Sequence, residues 1–295
     1  MTDLQDAMKN TAAAVTRQLD EVLPQAVGPR RRVVDAMRYA CLGGGKRMRP
    51  FLVVATARLF DVCDPRALRV AAAVEMVHCY SLVHDDLPAM DDSDLRRGQP
   101  AVHKKYGEAT AILAGDGLLT EAFGVLAQPE THRDPAVRSE LIQALAHAAG
   151  PHGMVGGQMI DISDERNDLD LDGVTDLQSL KTGALIDFAC QAGAILGRAD
   201  ESARDALRGY AADLGLAFQV ADDLLDAEGN AQQLGKPTGQ DSDARKATFL
   251  NLLGPKKARA KAWRLADSAA GRLAPFGGKG ELLGQLARFV VEREF

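Results

Sequence analysis

The densest run of reactive side chains is Asp85-Asp86-Leu87-Pro88-Ala89-Met90-Asp91-Asp92, continued by Ser93-Asp94-Leu95-Arg96-Arg97-Gly98-Gln99-Pro100. Five carboxylates fall within ten residues, and two adjacent arginines follow. Like charges this close repel unless something neutralises them. Mg²⁺ does so with oxygen ligands, commonly one or two carboxylates plus phosphate oxygens. Guanidinium forks match phosphate in turn. The stretch therefore suits a diphosphate held through Mg²⁺. Taken alone it equally suits a solvated acidic loop. An EF-hand loop is a poor fit, because counting from Asp91 or Asp92 puts Leu95 or Arg96 at the fifth, ligating position.

A second acidic cluster shifts the balance towards a site. Gln219, Asp222, Asp223 and Asp226 recur at helical spacing and form one polar stripe. The surrounding residues, Leu214, Leu216, Phe218, Val220, Leu224 and Leu225, are apolar. Three carboxylates buried there without cations would be costly.

Cations are spread along the chain. Gly43-Gly44-Gly45 runs into Lys46-Arg47-Met48-Arg49-Pro50. This is no Walker loop, since Arg47 stands where Ser or Thr is required and the lead-in is helical. Glycines with three cations can cradle phosphate, or they can form a solvated basic turn; both readings stand. Glu75, His78, Leu82 and Asp85 lie three and four apart, so they share a helix face. His78 is thus either a core histidine or a ligand-binding one. Gly153 to Asp161 lacks GxGxxG spacing and a preceding strand, so its glycines suggest close helix packing. Lys181-Thr182-Gly183 opens or interrupts a helix, and Leu234 to Asp241 with Lys236, then Lys246, form a later loop.

These groups must be held by helices. Strand signals are scarce, and apolar residues recur at three and four throughout. The expected architecture is a single all-α bundle spanning 1–295, with no internal repeat or linker. Helices are expected from about Leu4 to Leu23, Arg31 to Cys41, Pro50 to Phe60, Ala67 to Asp86, Gly107 to Leu126 and Pro135 to Ala149. Later ones end near Leu196, carry the second cluster, and run from about Pro255 to Ala274 and Glu281 to Glu294. Ser163 to Asp176 reads as a surface loop. The α-helix carrying Asp85 must break near Pro88, so Asp91 meets Asp85 through a turn.

Composition sets outer bounds. The 295 residues carry 46% hydrophobic and 26% charged side chains, as a globular protein does. A net charge of −6 argues against nucleic acid as a partner. No run of about 18 apolar residues occurs, so no membrane span is expected, and the acidic N-terminus does not read as a signal peptide. Cys41, Cys63, Cys79 and Cys190 form no CxxC pair. They read as reduced thiols of a cytoplasmic protein, not as a zinc site.

With these motifs in place, the chain resembles the trans-isoprenyl diphosphate synthase (polyprenyl synthetase) family, most closely its bacterial farnesyl-producing branch. The resemblance rests on Gly44 to Pro50, His78-Cys79-Tyr80-Ser81-Leu82, Asp85 to Pro100, Gly157-Gln158, Lys181-Thr182-Gly183, and Phe218-Gln219 leading into Asp222 to Asp226. It covers nearly the whole chain. It implies a helical fold around a central cavity, a homodimer, and usually three Mg²⁺. By position, Asp85, Asp91 and Asp222 resemble the metal ligands, with Asp86, Asp223 and Asp226 in support. Arg96, Lys181, Thr182, Gln219 and Lys236, with Lys246, resemble contacts to the allylic diphosphate; Arg96, Lys181 and Gln219 are the implied catalytic group. Lys46, Arg49, His78 and Arg97 resemble the cradle of isopentenyl diphosphate. Two positions depart from the family pattern: Leu250 stands where Pro is usual after Phe249, and Ser93 where Asp is common.

The implied reaction condenses isopentenyl diphosphate with dimethylallyl and geranyl diphosphates to give farnesyl diphosphate. Geranylgeranyl or geranyl diphosphate is the alternative product. A class I terpene cyclase needs no second diphosphate cradle, and a non-catalytic regulatory subunit should have damaged acidic motifs. Tyr80, five residues before Asp85, is the implied floor of the chain-length pocket. A helical wheel, however, puts Ser81 near the face of Asp85 and Tyr80 well off it.

Overall fold

Alanine, leucine and long charged residues favour helix, and helix is what most of the chain forms. The structure is a computed structural model and describes residues 2–228 and 247–292. Helix α1 spans Thr2–Val22, α2 Arg31–Leu42, α3 Met48–Leu59 and α4 Asp64–Asp85. A short antiparallel hairpin follows, β1 Leu95–Arg96 with β2 Gln99–Pro100. Next come α5 Val102–Tyr106, α6 Glu108–Ala127, α7 Pro135–Ala149, α8 Met154–Ile162 and α9 Leu171–Gln178. A π-helical turn at Ser179–Gly183 leads into α10, Ala184–Leu196, and then α11, Glu201–Glu228. Beyond residue 246 lie α12 Phe249–Leu253, α13 Pro255–Arg272 and α14 Glu281–Glu292. The hairpin is the only strand pairing among the described residues, so the all-α expectation holds.

Helices that are apolar on every side belong at the centre. In α3 every residue from Pro50 to Ala57 is buried. In α10 Asp187 alone interrupts a buried run from Leu185 to Leu196. Helix α4 lies between α3 and α6, α10 packs on α3, and α11 packs on α10 and α13. This layering brings the C-terminal halves of α4 and α11, each carrying an acidic cluster, to bear on the site. A helix C-terminus adds partial negative charge of its own, which increases the need for cations at Asp85.

The ends of elements follow local chemistry. Helix α4 starts at Asp64, earlier than expected, because Pro65 is compatible with a first helical turn. Helix α7 begins after Asp134, whose carboxylate accepts the Ala136 N–H at 2.9 Å. The stretch Ser163 to Asp176 is not a surface loop. It holds a 3₁₀ turn at Asp164–Asp168 and helix α9, capped by Asp170 accepting the Gly173 N–H at 2.9 Å. Its acidic residues mask a short apolar face, of which Val174 and Leu177 are buried. By length and composition alone, α6 resembles a membrane span, the one such helix among the described residues. It packs instead against α4, α2 and α5.

Candidate active site

Helix α4 stops at Asp85, and the chain folds back on itself. The Asp91 N–H donates to the Asp85 carbonyl at 2.8 Å, and Ser93 N–H to the Asp86 carbonyl at 3.2 Å. Asp91 therefore sits over Asp85 through a turn, as the break near Pro88 requires. Burial pushes the Asp85 carboxyl up to about 6; Lys181 opposes this and Asp91 adds to it. Asp86 is itself buried, and burial raises its carboxyl against the pull of Arg96.

The hairpin separates the two arginines. Arg97 and Gly98 are its central pair, with φ of 54° and 73°, the left-handed pair a two-residue type I′ turn demands. Arg96 turns to Asp86, with Nε 3.0 Å from Oδ1 and 3.2 Å from Oδ2. Arg97 turns the other way, to the Gly44 carbonyl and to Glu75, 3.5 Å away. Both guanidiniums are thus anchored by protein groups.

The basic turn is less open than its sequence suggests. Arg47 is only 3% exposed and pairs with Glu75 and the Cys41 carbonyl. It braces the turn, and the expected three-cation cradle reduces to Lys46 and Arg49 with His78 and Arg97 beside them. Arg49 is half-buried, with its Nε buried and unpartnered. Burial lowers it, while the fields of Glu75 and Asp222 oppose that. His78 is held well below its usual range by burial first and by Arg49, Arg97, Arg96 and Arg47 next, so its imidazole is neutral. Glu75, with 1% exposure, is the carboxylate that this cluster depends on.

On α11, Asp223 is committed to structure. Its Oδ1 accepts Gln219 Nε2 at 3.0 Å, and its Oδ2 accepts the Phe249 N–H at 2.9 Å, tying α11 to α12. The Thr182 hydroxyl donates to Gln219 Oε1 at 3.4 Å. Asp226 keeps a buried Oδ1 with no partner. Thr182 and Lys181 ride on the π-turn, a rare geometry that often marks functional sites. Lys181 Nζ donates to Asp161 Oδ2 at 2.6 Å, and the buried Asp161 also holds Arg166. Gly157 allows this approach: a Cβ there would stand 2.3 Å from the Lys181 backbone nitrogen. Close packing was the expected use of these glycines.

Two cavities meet at Arg49 and His78. One, of about 380 Å³, is lined by Tyr80, Ser81, His84, Asp85, Lys181 and Thr182, with Met154 and Met159 on its apolar wall. The other, of about 140 Å³, takes in Lys46, Arg97, Glu75 and Phe218. Tyr80 is a correction to the helical wheel: its ring lines the larger cavity despite its angle, packing edge-on to His84 at 5.6 Å. A further cavity of about 670 Å³, between α7, α10 and α11, contains neither acidic cluster. Lys236 and Lys246 lie outside the described residues.

Sequence reasoning missed Asp161, His84 and the bracing roles of Glu75 and Arg47. Asp161 follows Gly157 by four residues, a same-face spacing that could have signalled it. Among the described residues, no three His, Cys, Asp or Glu side chains lie close enough to enclose an ion. Asp85, Asp91 and Asp222 with the orphaned Asp226 Oδ1 are hard oxygen donors. Such donors are the type Mg²⁺ takes one or two at a time, completing its coordination from diphosphate and water.

A model of the polyprenyl synthetase family matches residues 30–272. The farnesyl diphosphate synthase of Geobacillus stearothermophilus is 43% identical over 282 residues, covering 95% of each chain. That of Escherichia coli (strain K12) is 44% identical over 292 residues, covering 95% of this chain and 97% of the relative. A solved apo structure of an FPP/GFPP synthase from Zymomonas mobilis is 50% identical, with a TM-score of 0.89 over 98% of this chain and 99% of that one. One family model thus runs from the basic turn through both acidic clusters, relatives match nearly end to end, and the chain belongs to the polyprenyl synthetase family.

Proposed function

We propose that the protein is a short-chain trans-prenyltransferase that joins isopentenyl diphosphate to dimethylallyl and then geranyl diphosphate, giving farnesyl diphosphate. The observation that carries this reading is the pair of cavities meeting at Arg49 and His78, one largely apolar and edged by Asp85, the other cationic. Two such compartments suit two diphosphate substrates; a cyclase would need one. The relatives named above, farnesyl diphosphate synthases, support the same reaction.

In this reading Asp85, Asp91 and Asp222 hold Mg²⁺, three ions by family resemblance, and Mg²⁺ supplies charge stabilisation to the departing diphosphate. Lys181 and Arg96 sit beside the acidic cluster, where that negative charge grows. Thr182 and Gln219 orient the same group by hydrogen bonding. Lys46, Arg49, Arg97 and neutral His78 seat isopentenyl diphosphate, placing its double bond against the allylic carbon. The allylic C–O bond ionises to diphosphate and an allylic cation, the double bond of isopentenyl diphosphate attacks that cation to form the new C–C bond, and a proton then leaves for the released diphosphate. Apolar walls keep water from quenching the cation. Lys236 and Lys246 belong to the allylic contacts on sequence grounds alone. The assembly is a homodimer and the compartment cytoplasmic, on the family resemblance and the unpaired cysteines.

A second reading, a product longer than fifteen carbons, is favoured by the apolar wall of the larger cavity, where Met159 is 60% exposed. Purified protein incubated with isopentenyl diphosphate and each allylic diphosphate, with and without Mg²⁺, tests both. Mg²⁺-dependent product ending at fifteen carbons is expected. Longer chains would establish the second reading. Cyclic hydrocarbon made without isopentenyl diphosphate, or no turnover, would overturn both.

A further inference from the structure

His84, a side chain of the larger cavity, also grips the neighbouring helix α6. Its Nε2 lies 3.1 Å from the Ile112 carbonyl on α6. A carbonyl only accepts, so the imidazole carries its proton at Nε2 and donates it there. The ring lies over Gly115: a Cβ at that position would stand 2.1 Å from Nε2 and 2.5 Å from Cδ2. Any other residue would push the imidazole out. The remaining edge of the ring meets Tyr80 at 5.6 Å and 82°, the T-shaped arrangement aromatic pairs favour. Tyr80 and His84 are one turn apart on α4, so a side chain fixed at Gly115 fixes the tyrosine above it.

We propose that His84, seated in the slot left by Gly115 and tied to the Ile112 carbonyl, is the positioning residue that holds Tyr80 as the floor of the chain-length pocket. Product length is then set by the seam between α4 and α6, and not by the bulk of Tyr80 alone. The inference rests on the farnesyl reading proposed above and on Tyr80 as its floor.

The test compares products from dimethylallyl diphosphate with excess isopentenyl diphosphate for wild type, Tyr80→Ala, His84→Ala, His84→Gln and Gly115→Ala. The rate of the first condensation and the melting temperature are measured in parallel. His84→Ala is expected to raise the ratio of twenty- to fifteen-carbon product at least roughly tenfold. Glutamine can still donate to the Ile112 carbonyl, and His84→Gln is expected to recover most of the wild-type ratio. Gly115→Ala adds volume yet should also lengthen the product, because it evicts the imidazole. A histidine acting only as wall would give shorter or unchanged product in that variant, which would overturn the clamp. Fifteen-carbon product from His84→Ala alongside longer product from Tyr80→Ala would overturn the clamp and leave the floor standing. Unchanged product from both would overturn floor and clamp together, and a wild type that does not stop at fifteen carbons would overturn the farnesyl reading itself.

Discussion

Glu75, buried, and Asp187, half-buried with an enclosed oxygen, show how differently two carboxylates behave. Glu75 is enclosed by Arg47 and Arg97, so its burial is compensated. Asp187 lines the 670 Å³ cavity with Oδ1 unpartnered, and burial pushes it from 3.8 up to about 6, against the weaker pull of Arg208, Gln191 and His147. An acid raised in the folded state binds its proton more tightly there than in the unfolded chain. Its contribution is therefore fully present below about pH 4 and is lost as pH rises to about 6. Asp187→Asn should be the more stable protein at pH 8, by at most roughly 3 kcal/mol, with the gap closing by pH 4. Urea denaturation at the two pH values measures it. At this scale the reactive residues were legible, because carboxylates and arginines in dense runs have few structural uses. The braces were not. Arg47 has the same side chain as Arg49, and only the path of the backbone, with φ of 49° at Arg47, decides which one turns inward to Glu75.

Elements were legible where a terminal residue announced them. Asp134-Pro135 supplies a cap and a first-turn proline, and α7 runs over Pro135–Ala149 as expected. Helix α9 was hidden, since its buried face is short and acidic residues surround it. The π-turn is a third case: Lys181-Thr182-Gly183 reads as an interruption, but its π geometry depends on α8 packing alongside. Gly157 is the point of contact. A methyl there meets backbone, which cannot swing aside as a side chain can. Gly157→Ala should cost about 1–3 kcal/mol as an overpacked contact, and should raise KM for the allylic diphosphate more than KM for isopentenyl diphosphate. Thermal melts and steady-state kinetics on one preparation separate the two effects.

For the whole molecule, the all-helical fold followed from periodicity, whereas the gathering of Asp85 and Asp222 near Arg49 required the packing of α3, α4, α10 and α11. Ligands that bind only the folded chain stabilise it by mass action. Mg²⁺ with inorganic diphosphate should raise the melting temperature, and either alone should do so far less. Chelation should reverse the gain and abolish turnover, and Asp85→Ala should lose both responses. The hairpin adds a constraint of another kind. Arg96 is moored to the first acidic cluster and Arg97 to the basic turn, with no residue between them. Adding or removing one residue in such a turn changes the register and sends side chains to the opposite face. Over evolutionary time this segment can exchange side chains around its two moorings, but an insertion or deletion between Arg96 and Gln99 would cast one of them loose.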